Sequence, residues 1–254
     1  MTHHQDVKTR SRQSLTLLGL IALLGIGSIH SGSSQDEGIL VGDVILDGSP
    51  PAPRPPAVVK PADAPVCGAH IPDESVLVGK DGGLQNVIVY LDDITANTPG
   101  TRNRGTAGPA PSVRLANRDC RFQPHVQTAR LGATLIVAND DNILHNTHAY
   151  LEQNITFFNL GLPFKGVEVP RPLKRTGMVT FKCDAGHTWM NGYLLVLDHG
   201  FHAVTDASGK FRMTSVPAGD RRLKAWHEKL GTQSLSVQIS PGQETRINIR
   251  FKSQ

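Results

Sequence analysis

Cysteine is scarce in this sequence, and the glycine-rich and serine-centred motifs of several enzyme classes are missing. Only 3 of the 254 residues are cysteine. No Gly-x-Ser-x-Gly elbow, phosphate-binding loop or dinucleotide-binding fingerprint occurs. Hydrolase and nucleotide-dependent oxidoreductase functions therefore find little support, and we expect that the chain is not an enzyme.

A long amphipathic helix is also absent from the pattern of apolar residues. Short apolar runs alternate instead with turns that are rich in Gly and Pro. Leu84 to Leu91 is an unbroken β-prone run, and residues 235–239 and 247–251 alternate strictly between apolar and polar residues, as half-buried strands do. The sequence therefore predicts an all-β fold with short strands and frequent turns.

Strong charge of either sign is absent too. The whole chain carries a formal net charge of +4, and residues 1–33 contribute three basic residues and one acidic residue to it. A balance this close to neutral is not typical of proteins that bind nucleic acid or an anionic membrane surface. We therefore expect neither as a partner.

The N-terminus has the pattern of an export signal. Basic residues precede an apolar run from Ser14 to Ile29, and small residues follow it. The run is short for a membrane span, which needs about 20 apolar residues. We predict a signal peptide over residues 1–33 and a periplasmic mature protein without stable membrane association. An N-terminal anchor that is not cleaved is the alternative.

One short segment brings three metal-binding residue types together. Three residues separate Cys183 from His187, two separate His187 from Met190, and His145 lies upstream after an apolar run and a polar turn. One Cys, two His and a weak axial Met are the ligands of type 1 copper sites, which transfer electrons. The sequence predicts a mononuclear copper site with these four ligands. The alternative is a core Cys, a surface His and a core Met that only lie close together.

This ligand pattern resembles the cupredoxins, in particular the small periplasmic cupredoxin-like proteins associated with methylamine utilisation. In cupredoxins the loop reads Cys, two to four residues, His, two to four residues, Met. The extra Gly186 departs from the loop of these relatives. Upstream, the cupredoxin pattern Phe-x-Pro, Gly, Asn-x-Asp, His is matched by Phe122-Gln123-Pro124, Gly132, Asn139-Asp140 and His145-Asn146.

The resemblance covers roughly residues 112–198, and it implies a Greek-key β-sandwich. It also implies that His187 is the solvent-side ligand through which electrons leave. Asn146, which follows the first His, would pin the copper loop by hydrogen bonding.

The three cysteines fit an exported protein with one disulfide. An odd number of cysteines in an exported chain leaves one thiol unpaired. Cys183 has a metal to bind, so Cys67 and Cys120 would form the disulfide. Three reduced thiols would be expected only in the cytosol.

A second resemblance concerns the chain on both sides of the copper region. Residues 205–211 and 216–219 resemble the transthyretin-like regulatory domain that is found beside carboxypeptidases. The opening strands of that domain would correspond to Gly42–Leu46 and Asn86–Leu91, which precede the copper region.

The resemblance implies a small β-sandwich built from residues 38–95 and 199–254, with the cupredoxin-like domain, 112–198, inserted between them. Insertions succeed at exposed turns whose ends lie close together. The alternative assigns 38–95 to the cupredoxin-like domain and makes the C-terminal part a separate domain.

Some of the remaining histidines could form a second metal site. His125, His148 and His227 lie near the copper strands or beside a Trp and a Glu, and imidazole is the commonest side-chain metal ligand. Against such a site, His148 would point away from His145 along a strand, and His227 would cap a turn.

We therefore expect a periplasmic type 1 copper protein that carries electrons between protein redox partners. Multicopper oxidases and copper nitrite reductases need further copper-bearing domains with many more His, which this sequence does not contain. The alternatives are a periplasmic carrier or sensor that binds Cu(I), and a β-sandwich interaction module with a vestigial copper site.

Overall fold

The computed structural model describes residues 36–95, 97–98, 110–152 and 155–253. The predicted signal peptide, 1–33, lies outside these residues. None of the helices in the described part of the chain is long and apolar enough to cross a membrane.

The described residues form strands almost throughout, with one short helix, and the predicted all-β fold is confirmed. The elements are β1 (Glu37–Asp47), β2 (Ala57–Val58), α1 (Ala64–Cys67), β3 (His70–Ile71), β4 (Ile88–Leu91), β5 (Val113–Arg118), β6 (Arg121–Gln123), β7 (Val126–Arg130), β8 (Thr134–Asn139), β9 (His145–Leu151), β10 (Ile155–Leu162), β11 (Glu168–Pro172), β12 (Gly177–Lys182), β13 (Asn191–Leu197), β14 (His202–Val204), β15 (Lys210–Pro217), β16 (Gly219–His227), β17 (Gly231–Ile239) and β18 (Glu244–Lys252).

Strands from both ends of the described chain build one sandwich, which we call the terminal sandwich. One sheet has the order β15-β1-β18, in which β1 runs parallel to β18, and the other has the order β14-β4-β16-β17. Apolar side chains of both sheets share one core, including Leu40, Val44, Val89, Leu223 and Phe251. The alternating apolar residues of β17 and β18 account for their burial in this core.

The strands between β4 and β14 build a second sandwich, the central sandwich. Its sheets have the orders β10-β9-β12-β13-β7 and β11-β8-β5-β6. Their facing side chains form a separate core that includes Leu115, Phe122, Leu135, Leu151 and Phe181. The predicted domain boundaries stay a prediction.

Strand periodicity decides which side chains of the central sandwich point toward the metal-binding residues. Along β9 the residues alternate between buried and half-buried positions, and His145 and Thr147 are on the buried side. On β12 the same alternation buries Val179 and Phe181, and it continues to Cys183. Because β9 and β12 are antiparallel neighbours, the start of β9 lies beside the end of β12.

Candidate metal centre

Three of the four predicted ligands converge in the central sandwich. The ligand atoms of His145, Cys183 and His187 all lie within 4.8 Å of one another. The two Nδ1 atoms of His145 and His187 are 3.1 Å apart, and the Cys183 Sγ lies 3.7 Å from the His187 Nδ1. All three side chains are buried, with exposed fractions of 0%, 5% and 2%.

Met190, the fourth predicted ligand, is buried in the same apolar core as Cys183. Its backbone N–H donates to the His187 carbonyl at 3.0 Å, so a tight turn joins these two positions. Gly186 precedes His187 with a φ of 95°, a backbone conformation that favours glycine. The loop that carries the three downstream predicted ligands is therefore compact.

The two histidines share one orientation, in which Nδ1 faces the cluster and Nε2 faces a carboxylate. The His145 Nε2 lies 2.9 Å from Asp141 Oδ2, and the His187 Nε2 lies 3.2 Å from Asp63 Oδ2. A carboxylate partner holds the proton on Nε2, which leaves the Nδ1 lone pair available for a metal. Two Nδ1 lone pairs and a sulfur at these distances suit a shared cation, so the donor set fits copper.

Asp141 is held in place by the chain around the disulfide. The backbone N–H groups of Asp119 and Cys120 each donate to its carboxylate at 2.9 Å. Asn139 in turn accepts the backbone N–H of Asp141 at 2.9 Å. Burial raises the pKa of Asp141, but its bonds with His145 and these amides outweigh burial and lower it.

Asn146 makes the hydrogen bonds that would pin the segment from Cys183 to Met190, which we call the metal loop. Its backbone N–H donates to Cys183 Sγ at 3.3 Å, and its side-chain oxygen accepts the N–H of Asp184 at 3.2 Å. Its side-chain N–H also donates to Asn159 Oδ1 at 2.6 Å. Asn146 therefore ties β9 and β10 to the start of the loop.

The cluster favours the thiolate form of Cys183. Burial raises the pKa of this thiol, but hydrogen bonds with His145 and His187, together with backbone N–H groups, lower it to about 6. Burial lowers the pKa of His145, while Asp141 and Cys183 raise it, with a net increase. Because the thiolate is the metal-binding form, the cluster is prepared for a metal at neutral pH.

The cysteine pairing is as predicted. Cys67 and Cys120 form a disulfide with their Cα atoms 5.3 Å apart, and Cys183 is the buried free cysteine. This confirms the predicted disulfide.

The expectation that His187 is a solvent-side ligand is wrong in this structure. Its side chain is only 2% exposed, because the segment around α1 lies against it and contributes Asp63. Asp63 and Asp141 were not among the functional residues that the sequence pattern predicts. Asp141 belongs to the polar turn that precedes His145, so its position could have been noticed.

The three histidines considered for a second metal site, His125, His148 and His227, have separate partners. His125 contacts Glu228, and the His148 Nδ1 lies 2.7 Å from Asp184. The His227 Nδ1 accepts the backbone N–H groups of Lys229 and Leu230, so His227 caps a turn.

Among the described residues, none of these three histidines belongs to a group of three side chains that could hold a metal. A second such group consists of Cys120, Asp141 and His145, but the sulfur of Cys120 is in the disulfide. Among the described residues, His145, Cys183 and His187 are therefore the group of three whose donor atoms are all available to a metal.

Comparison with known proteins gave matches only among solved structures. No protein-family model and no curated protein matches the sequence. The chain is similar to a purple cupredoxin from Nitrosopumilus maritimus, with 20% identity over 33% of this chain and 98% of that one, at a TM-score of 0.29. It is also similar to the reduced state of an amicyanin mutant, with 15% identity over 34% of this chain and 81% of that one, at a TM-score of 0.29.

A third similar structure is a Cu-containing nitrite reductase from Thermus scotoductus SA-01. The identity is 19% over 34% of this chain, at a TM-score of 0.29. The match spans 22% of the nitrite reductase chain.

Proposed function

We propose that this chain is an exported type 1 copper protein that carries electrons between protein redox partners. The observation that carries the proposal is the buried convergence of His145, Cys183 and His187 within 4.8 Å, with Met190 in the same core. A thiolate, two imidazoles and a thioether form the donor set of blue copper sites. Because the metal loop resembles that of cupredoxin-like proteins associated with methylamine utilisation, a redox partner from that process is one candidate.

The chain's own residues prepare the site for electron transfer. Copper, when bound, supplies a centre that exchanges one electron. Asp141 and Asn146 hold His145 and Cys183 in place through hydrogen bonds, and the burial of all donors excludes water. Ligands that are fixed in this way change little between oxidation states, which is what rapid electron transfer requires.

The visible absorption spectrum of the protein with Cu(II) tests the proposal. An intense visible band, caused by charge transfer from the Cys183 sulfur to Cu(II), is expected. A protein that binds Cu(II) in stoichiometric amount but shows no such band would not be a type 1 copper protein.

Cyclic voltammetry distinguishes an electron carrier from a copper carrier. We expect a reversible wave and full retention of copper over repeated cycles, because buried donors hold both oxidation states in nearly one geometry. A Cu(I) carrier must release its metal and would bind Cu(II) poorly. An irreversible wave with loss of copper would therefore favour the carrier.

Export is a separate part of the proposal. The basic start, the apolar run and the confirmed disulfide support a periplasmic protein whose mature chain begins between Ser31 and Asp36. Cell fractionation followed by mass spectrometry of the N-terminus measures this. A full-length chain in the cytosol would contradict both the signal peptide and the periplasmic location.

A further inference from the structure

A segment that precedes the central sandwich lies over its metal loop. This segment, residues 57–71, contains β2, α1 and β3, and we call it the strap. Its ends are joined because Ala57 pairs with Ile71 and Val58 pairs with His70. The strap therefore forms a closed loop on the surface of the metal centre.

A disulfide, an apolar cluster and the close approach of Lys60 fix the strap to the metal centre. The disulfide joins Cys67 to Cys120, and Trp189 of the metal loop donates its indole N–H to the Cys120 carbonyl at 2.9 Å. Val59 and Ile71 share a small apolar cluster with both cysteines, and Trp189 packs against it. Lys60 of the strap lies close to Gly186 of the metal loop. A Cβ atom added to Gly186 would be 2.6 Å from the Lys60 Nζ.

Asp63 occupies a position in the strap where its side chain would ordinarily serve the helix. It is the N-cap residue of α1, and Asp at this position commonly accepts a backbone N–H of the first turn. Here it makes no capping hydrogen bond, and its carboxylate lies 3.2 Å from the His187 Nε2 instead. The Asp63 side chain therefore contacts His187, a predicted ligand, and does not cap the helix.

The contact reproduces, on His187, the arrangement that Asp141 provides for His145. Each ring has one nitrogen at a carboxylate and the other directed at the cluster. Asp141 comes from the turn before its histidine, whereas Asp63 is 124 positions from His187 in the sequence. The strap, which the disulfide joins to Cys120, carries Asp63 to this position.

We infer that Asp63 is a positioning residue that orients His187 through Nε2 and favours Cu(II) over Cu(I) at the centre. The second effect rests on the proposed function. A carboxylate on the outer nitrogen fixes the ring and makes it a stronger donor, and its negative charge stabilises the more highly charged ion. Removing the charge should therefore raise the reduction potential.

Asp63→Asn is the decisive variant, with Asp140→Asn as its matched control. Asn keeps the size of the side chain and removes the charge. Asp140 is also a carboxylate of the central sandwich, but it pairs with Arg114 and Arg118. In Asp63→Asn we expect Cu(II) binding to weaken by about tenfold relative to Cu(I), which raises the potential by about 59 mV. The control should shift the potential much less.

A double-mutant cycle tests whether the strap delivers this effect. Replacing both Cys67 and Cys120 by Ser should raise the potential in the same direction, because Asp63 is then held less firmly. Adding Asp63→Asn to that variant should raise it by less than in the wild-type background. Fully additive shifts would show that the disulfide has no part in placing Asp63.

A measurement on the metal-free protein keeps this inference separate from the copper proposal. The imidazole NMR signals should show His187 protonated at Nε2, with a proton that exchanges slowly, and Asp63→Asn should lose this protection while Asp140→Asn keeps it. If the wild-type protein shows no blue copper band, the proposed function fails, and the NMR result still decides the positioning role. Equal potentials and equal proton protection in the two variants would overturn the inference.

Discussion

Replacing Cys183 by Ser should abolish the visible band of the Cu(II) protein. The band requires charge transfer from a thiolate to Cu(II), and Cys183 is the free cysteine, with its Sγ 3.7 Å from the His187 Nδ1. Serine keeps the shape of the side chain but offers a hard oxygen that copper binds far less well. Absorption spectra, recorded at measured copper content, show whether colour or metal has been lost.

The histidine and methionine variants distinguish equatorial from axial ligands. His145→Ala and His187→Ala each remove an equatorial donor, so both should lose the band or weaken it severely. Met190→Leu should keep coloured copper but raise its potential, because a weak axial donor tunes the centre more than it holds the metal.

His148→Ala and His125→Ala are the controls for these variants. Both histidines have partners outside the cluster, Asp184 and Glu228, so the band should remain. If Cys183→Ser keeps the colour, or if His148→Ala destroys it, the proposed ligands are not the site.

The ligand cluster could be predicted because its members are neighbours in simple strand geometry. Cys183 follows β12 directly and His145 begins β9, so antiparallel pairing brings them together. The spacing within the metal loop then adds His187. The all-β class was equally accessible, because alternating residues such as those of β18 reveal one buried face.

The burial of His187 by the strap could not be predicted in the same way. Asp63 lies in a segment that is rich in Pro and Ala, without strand or helix periodicity, and its contact with His187 spans 124 positions. One signal was available, since the predicted Cys67–Cys120 pair requires the chain near Asp63 to lie beside Cys120. The resemblance to cupredoxins predicted the opposite, because it implied that His187 is exposed to solvent.

Removing the disulfide should lower the free energy of unfolding by about 4 kcal/mol. The cysteines are 53 positions apart, and cross-linking a loop of that length restricts the unfolded chain. The closed loop includes β4, a strand that packs in the core of the terminal sandwich, so the link also restricts this strand in the unfolded chain. The effect exceeds that of most single substitutions, which cost about 0.5–3 kcal/mol.

Guanidinium unfolding of the metal-free protein, without reductant, measures this effect. The variant with Cys67→Ser and Cys120→Ser should unfold at a clearly lower midpoint than the wild type. Reduced wild-type protein should unfold near the midpoint of the variant, because both lack the same link. Cys183→Ser is the control for the loss of a buried sulfur, and it should unfold close to the oxidised wild type. If the double variant keeps the oxidised midpoint, the strap is held by its apolar cluster with Trp189, and the disulfide contributes little to its anchoring.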